Sequence, residues 1–260
     1  MSLRGWLVAI GVAAVAAIVQ APATLLVAPI EASCDGRCRL AAVEGSLWRG
    51  AADLWLRQGQ ARSWQDWQPA ARFSWRLDAG ALWQGRLALV VSQEMAGNAT
   101  ARLEAGLGGV AVDIGRLSLP AGPLLAGLGE GMPTAGWGGH LVAENCTLRR
   151  DLAGRWRGEG ALRWLDARTS LLENLALGDY RLAWRKPLDG PATGELTTER
   201  GDLALQGDLT VNDRGPRFAG TAEARNTQRA RLEKYLRAVG APLAGTPGRY
   251  RLRLPDAPGE

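Results

Sequence analysis

The stretch Gly45–Leu56, GSLWRGAADLWL, returns in altered form as Gly80–Val91, GALWQGRLALVV. From Trp48 the residues fall into two sets. Trp48, Gly50, Ala52, Leu54 and Leu56 form one; Arg49, Ala51, Asp53, Trp55 and Arg57 form the other. Successive side chains leave an extended backbone in opposite directions, so this period of two predicts a β-strand with one dry and one wet face. In the second copy Trp83, Gly85, Leu87, Leu89 and Val91 make the dry set, and Gln84 and Arg86 open the wet one. Two looser copies follow, opened by Trp156 with Gly158 and by Phe218 with Gly220. A large ring beside a residue without a side chain can lie across the neighbouring strand and fill the gap that glycine leaves. Trp48, Gly50, Trp83, Gly85, Trp156, Gly158, Phe218 and Gly220 are therefore candidate structural positions, with the rings on the dry face.

Other segments keep the period without the motif: Phe73–Leu77, Tyr180–Trp184, Leu203–Val211 and Tyr250–Leu254, and more weakly Thr100–Leu107, Val110–Leu119 and Leu141–Leu148. Asn212–Pro216, NDRGP, reads as a hairpin turn. Two stretches predict helix. Leu124–Gly131 is short and broken by glycine. Thr227–Val239 carries Leu232, Tyr235, Leu236 and Val239 on one stripe, with Gly240 as the stop. The expected class is mainly β: a large antiparallel, twisted sheet, either closed as a sandwich or continuous with an apolar trough, plus one or two short helices.

The N-terminus adds a different constraint. From Gly5 to Ile30 there is no charge, a run long enough to cross a bilayer core. Arg4 precedes it, Glu31 follows, and Trp6 stands where an interfacial aromatic belongs. The expected organisation is a cytoplasmic tip at 1–4, a transmembrane anchor at 5–30 and a periplasmic β-domain at 31–260, with Arg4 and Trp6 at the membrane interface. A cleaved signal peptide ending near Ala21–Ala23 is the alternative. Beyond the membrane, Cys34 and Cys38 could form a local disulfide; two free thiols are the other option. Cys146 is then left as a small buried hydrophobe.

Chemistry is hard to find in this sequence. His140 is the single histidine, which excludes metal sites built from two histidines. No phosphate-binding loop sits between a strand and a helix. Glu44, Asp53 and Glu159 lie among arginines on predicted wet faces, the setting of paired surface charges. The net charge of +5 comes from arginines spread along the whole chain. Rings and arginines point to opposite faces, which argues against single-stranded nucleic acid. No catalytic, metal-binding or cofactor-binding residues are expected.

The order of the motifs resembles the N protein family of the bacterial type II secretion system. EGSLWRGAADL after the apolar run is similar to the family's Gly-small-aliphatic-Trp-x-Gly opening, and FSWRLDAGALWQGRLAL at Phe73–Leu89 to its Trp-x-Leu and Leu-x-x-Gly segments. LEKYLRAVGAPLAGTPGRYRLRL resembles its C-terminal helix and Gly-x-Tyr-x-Leu-x-Leu strand, with Val239 replacing a leucine. Cys34 and Cys38 lie outside the resemblance. It implies a non-enzymatic accessory of an envelope-spanning secretion machine, in the inner membrane. Its implied neighbours are the inner-membrane platform, the C component and the outer-membrane secretin. A periplasmic protein of AsmA-like type, carrying lipid in an apolar groove, is the alternative.

Overall fold

A computed structural model of the chain describes residues 6, 20–57, 67–94, 100–126, 136–170, 175–213, 215–246 and 248–254. The described residues form one large antiparallel sheet with a few short helices, not two packed sheets. The chain divides into two units, Met1–Glu104 and Ala105–Glu260.

In the first unit, a turn of 3-10 helix (Ala23–Leu26) and helix α1 (Val27–Ser33) lead into strand β1 (Cys38–Gly45). Strands β2 (Arg49–Arg57), β3 (Trp67–Leu77) and β4 (Arg86–Gln93) then follow in sheet order, with helix α2 (Ala79–Leu82) between β3 and β4. Strand β5 (Thr100–Gly106) runs across the division between the units. Cys34 and Cys38 are joined by a disulfide, which ties the end of α1 to the start of β1. The alternation in β2 does what its period demands: Ala52 and Leu56 are buried, and Arg49 is exposed. Ala52 packs with Trp75 and Ala23, and Leu26, Leu40, Val43, Leu89 and Val91 lie against them.

Residues 1–5 and 7–19, which include the expected tip, Arg4 and most of the expected anchor, lie outside the described residues. Trp6 is exposed. Among the described residues no helix is long and apolar enough to cross a membrane. Residues 20–30 of the same apolar run are described, and Ala21–Ala23 among them are bound to the sheet. The Ala21 carbonyl accepts from the Leu47 amide at 2.8 Å, Pro22 bridges to Ser46, and Ala23 is 1% exposed.

The second unit is a meander. Strands β6 (Gly109–Pro120), β7 (Trp137–Arg150), β8 (Trp156–Thr169), β9 (Leu175–Lys186), β10 (Ala192–Arg200), β11 (Leu203–Asn212) and β12 (Gly215–Ala224) lie side by side in chain order. Helix α3 (Ala121–Ala126) follows β6, three residues before the expected helix; residues 127–135 lie outside the described set. Asn212 pairs with Gly215 across the expected hairpin turn. After β12 come a 3-10 turn (Asn226–Gln228), helix α4 (Arg229–Val239), the two-residue strand β13 (Ala241–Pro242) and β14 (Arg249–Leu254). The sheet ends in the order β12, β14, β13.

Helix α4 covers one end of the dry face. Leu232, 2% exposed, and Leu236 pack with Ala222, Ala224, Tyr250 and Leu252. The expected stripe is wider than the observed one, because Tyr235 (44% exposed) sits at its flank and Val239 (55%) is the last helical residue. Gly240 ends the helix by close approach: a Cβ there would lie 2.9 Å from Leu252 Cδ2 and 3.0 Å from the Arg251 carbonyl oxygen.

Candidate functional site

Rings do lie over glycines in this sheet, but apart from Phe218 over Gly220 the ring comes from an adjacent strand and not from the motif's own aromatic. Trp75 of β3 stands opposite Gly50 of β2, and a Cβ on Gly50 would lie 2.5 Å from Trp75 Cζ2. Trp184 of β9 is flanked on one side by Gly160 of β8 and on the other by Gly194 of β10. A Cβ on Gly158 would come within 3.2 Å of the tip of the same ring. Phe218 lies over both Gly207 and Gly220, with Cζ 2.7 Å from either hypothetical Cβ. Trp75 and Trp184 are therefore central, although the motif in the sequence pointed to Trp48 and Trp156. The cross-strand parity of Gly160 and Gly194 is the signal that could have found Trp184.

Trp48 is half-buried, and Trp156 is 41% exposed with the Arg150 guanidinium 5.4 Å from its ring centroid. Trp83 corrects the reading outright, at 94% exposed. The reason is local. Asp78 Oδ1 accepts from the Gly80 amide and caps α2, so Trp83 ends a helical turn instead of opening a strand. Gly85 then serves the turn into β4 with φ +68° and nothing within 4 Å of a Cβ.

In the second unit the middle of the dry face is partly open. Leu182, Trp184, Leu196, Leu209 and Phe218 are half-buried. Toward α4 the packing tightens around aromatics. Trp137 and Trp164 meet edge to face at 5.5 Å, and Trp164 Nε1 donates to the Gly138 carbonyl at 2.9 Å. The Tyr180 hydroxyl donates to the Leu203 carbonyl at 2.9 Å, and burial pushes its pKa upward. Trp164 Nε1 and the Tyr180 hydroxyl are thus satisfied within the fold, whereas Trp137 Nε1 is buried without a hydrogen-bond partner among the described residues.

The wet face is a mosaic of both signs. In the first unit Arg72 reaches Asp53 at 3.1 Å and both Glu44 and Glu94 at 3.4 Å, which raises its pKa, chiefly through the hydrogen bond to Asp53. In the second, Arg163 holds Glu199 at 2.6 Å and Glu144 at 3.6 Å, linking β7, β8 and β10. Glu223 accepts from Arg225 and Arg249, and those bonds hold its pKa below the usual carboxylate value. Glu159 faces Arg185 in register but has no ion pair among the described residues, and neither have Arg185, Arg217 and Arg251. Exposed pairs of this kind add little stability each. They do make a surface that can match a partner's charges in a salt-sensitive way.

Asp179 was missed by the sequence reading. It is buried on β9, accepts from the Asp166 amide at 2.8 Å and pairs with Arg200 at 2.8 Å. It pins the irregular register between β8 and β9 near Asp166, whose φ is +50°, so its partners give it a structural use. His140 is exposed on β7, and buried Cys146 directs its Sγ to the Ala161 carbonyl. Among the described residues no group of histidine, cysteine and carboxylate side chains could hold a metal ion. What the geometry offers is surface: in each unit, antiparallel strands with a charged and an apolar face.

A family model described as type II secretion system (T2SS), protein N matches residues 36–253. No curated protein and no solved structure matches the chain.

Proposed function

Because the chain belongs to the type II secretion system protein N family, we propose that it is a non-catalytic accessory part of that machine. In this role it links the inner-membrane platform to the outer-membrane secretin while folded proteins are exported. The family match over 36–253 carries the proposal. As a component of this system the chain is membrane-associated. The finer topology we propose has residues 1–4 in the cytoplasm, a single anchor within 5–30, and the β-domain that follows it in the periplasm. Arg4 on the short side of the uncharged run supports this orientation. The mosaic of ion pairs and unpaired arginines on the wet face supports contacts with charged periplasmic domains of the platform, the C component or the secretin.

The test is a deletion strain grown with the secretion genes expressed. Folded exoproteins should accumulate in the periplasm, or leave it more slowly, while enzyme activities in extracts are unchanged. Alkaline phosphatase fused to the C-terminus should be active, and the protein should stay in the membrane fraction. Normal exoprotein release together with a leaky outer membrane would overturn the assignment.

A further inference from the structure

One end of the first unit gathers residues that the accessory role does not use. Trp83, Leu82 and Leu87 are exposed there, and Trp48, Ala79, Leu82 and Trp83 line an open apolar cleft of about 490 Å³. An exposed tryptophan beside other exposed apolar residues is uncommon on a freely solvated surface. On the other face of the same sheet end, Arg49 and Arg76 stand directly opposite each other as the terminal pair of the β2–β3 ladder. Both are exposed, and neither has an ion pair among the described residues. Like charges in that register repel unless an anion lies between or beside them.

The apolar N-terminal run joins the domain at the same place. Ala21 is hydrogen-bonded to Leu47, the residue before Trp48, and the Trp48 carbonyl accepts from Leu77 just ahead of α2. Residues 21–23 are therefore committed to the sheet, which leaves the sixteen uncharged residues 5–20 ahead of them. At a rise of about 1.5 Å per residue, a helical span of that length would cover roughly 24 Å. The hydrocarbon core is about 30 Å thick. Such a short span draws whatever follows it down to the headgroups.

We propose that the sheet end formed by Trp48, Leu82 and Trp83, with Arg49 and Arg76 beside it, sits in the headgroup layer of a bilayer containing anionic phospholipid. The indole of Trp83 lies among the upper acyl chains, and the two guanidiniums bind lipid phosphates. The proposal rests on the membrane-anchor reading above. It fixes the depth at which the first unit stands.

The test uses the full chain in nanodiscs of phosphatidylethanolamine and phosphatidylglycerol. In a Cys146→Ala background, a nitroxide is placed by Trp83→Cys or, as an aqueous control, by Leu152→Cys on an exposed turn of the second unit. Residue 83 carries almost no packing, so its replacement leaves the fold intact. The label at 83 should collide preferentially with oxygen, and that at 152 with a water-soluble nickel chelate. Adding Arg49→Gln and Arg76→Gln should cause loss of the oxygen preference at 83; if the preference survives, the arginines have no part. A label at 83 as aqueous as that at 152 overturns the proposal. Protection from both reagents overturns it too, because a protein then covers the patch. Alkaline carbonate extraction of the same sample reports on the anchor separately: release of the chain counts against the span, whatever the label at 83 reads.

Discussion

Replacing Gly50 with alanine tests whether rings over glycines hold this sheet together. The new Cβ would lie 2.5 Å from Trp75 Cζ2, 3.0 Å from Cε2 and 2.5 Å from the Glu44 carbonyl oxygen. Carbon atoms prefer about 3.5–4.0 Å, so the indole must retreat by roughly 1 Å. It has little room, because Trp75 is buried with Ala23 and Ala52. The carbonyl cannot yield either, since Glu44 belongs to the ladder between β1 and β2. Overpacking of this kind costs about 1–3 kcal/mol. The entropy regained by replacing a strand glycine returns up to about 1 kcal/mol. The net expectation is a loss of about 1–2 kcal/mol. Trp75→Leu alone should cost about 2–4 kcal/mol through the cavity it leaves. In that background the contact with the Glu44 carbonyl remains but the ring is gone, so Gly50→Ala should cost less by at least about 1 kcal/mol, which is the coupling. Urea unfolding of the detergent-solubilised chain, followed by circular dichroism, measures all four corners of the cycle. Equal costs for Gly50→Ala in both backgrounds would refute the reasoning. Gly85→Ala is the contrasting control. Nothing surrounds its Cβ, but its φ of +68° should cost about 1–2 kcal/mol with no dependence on Trp75.

Three further outcomes are expected. Leu232→Ala should destabilise the second unit by about 2–5 kcal/mol, whereas Tyr235→Ala on the exposed flank should stay within about 0.5 kcal/mol; similar costs in thermal melts would mean that α4 does not dock as described. Reducing the Cys34–Cys38 disulfide should cost roughly 2 kcal/mol, small because the closed loop is short, and both cysteines should resist alkylation in oxidised cells but not in a strain lacking periplasmic oxidase. Glu223 has a folded-state pKa below its ordinary value of 4.5, chiefly through its hydrogen bond from Arg225, so its contribution is fully present above that pH and fades as pH falls through the lowered value; Arg225→Gln with Arg249→Gln should flatten this part of the stability–pH curve, and an unchanged curve would rule the contribution out.

The fold class was legible because alternation is a local signal, and it is strongest where both faces are pronounced. Arg157 to Trp164 and Arg217 to Ala224 show it without ambiguity, and they are β8 and β12. Strand β1 escaped because a bulge near Ala42, at φ +46°, breaks the period within eight residues. Strand β10 escaped because its dry side offers Ala192, Gly194 and Leu196, too little apolar contrast to register. The exposed site around Trp83 was misread for the opposite reason. Its Trp-x-Gly copy is sound, but two residues upstream of Gly80-Ala-Leu the cap at Asp78 starts a helical turn, and one side chain decided between helix and strand. Partnerships between strands, such as Trp184 between Gly160 and Gly194, depend on register, which no single segment contains.

Within the second unit each strand from β7 to β12 is paired with the strand made just before it. A chain that emerges N-terminus first can therefore assemble strand by strand, with each finished edge acting as the template for the next. Loop closures stay short, so assembly is fast for a β protein and needs no distant segment to wait in the open. The growing edge is the exposed hazard at every moment of that process. It is capped only when the final residues arrive, because β13 reaches the sheet through β14, which docks on β12 after α4 has crossed the dry face. A chain stalled before Arg249 would thus present β12 as an unfinished edge, and the docking of β14 is the step that closes the growth front.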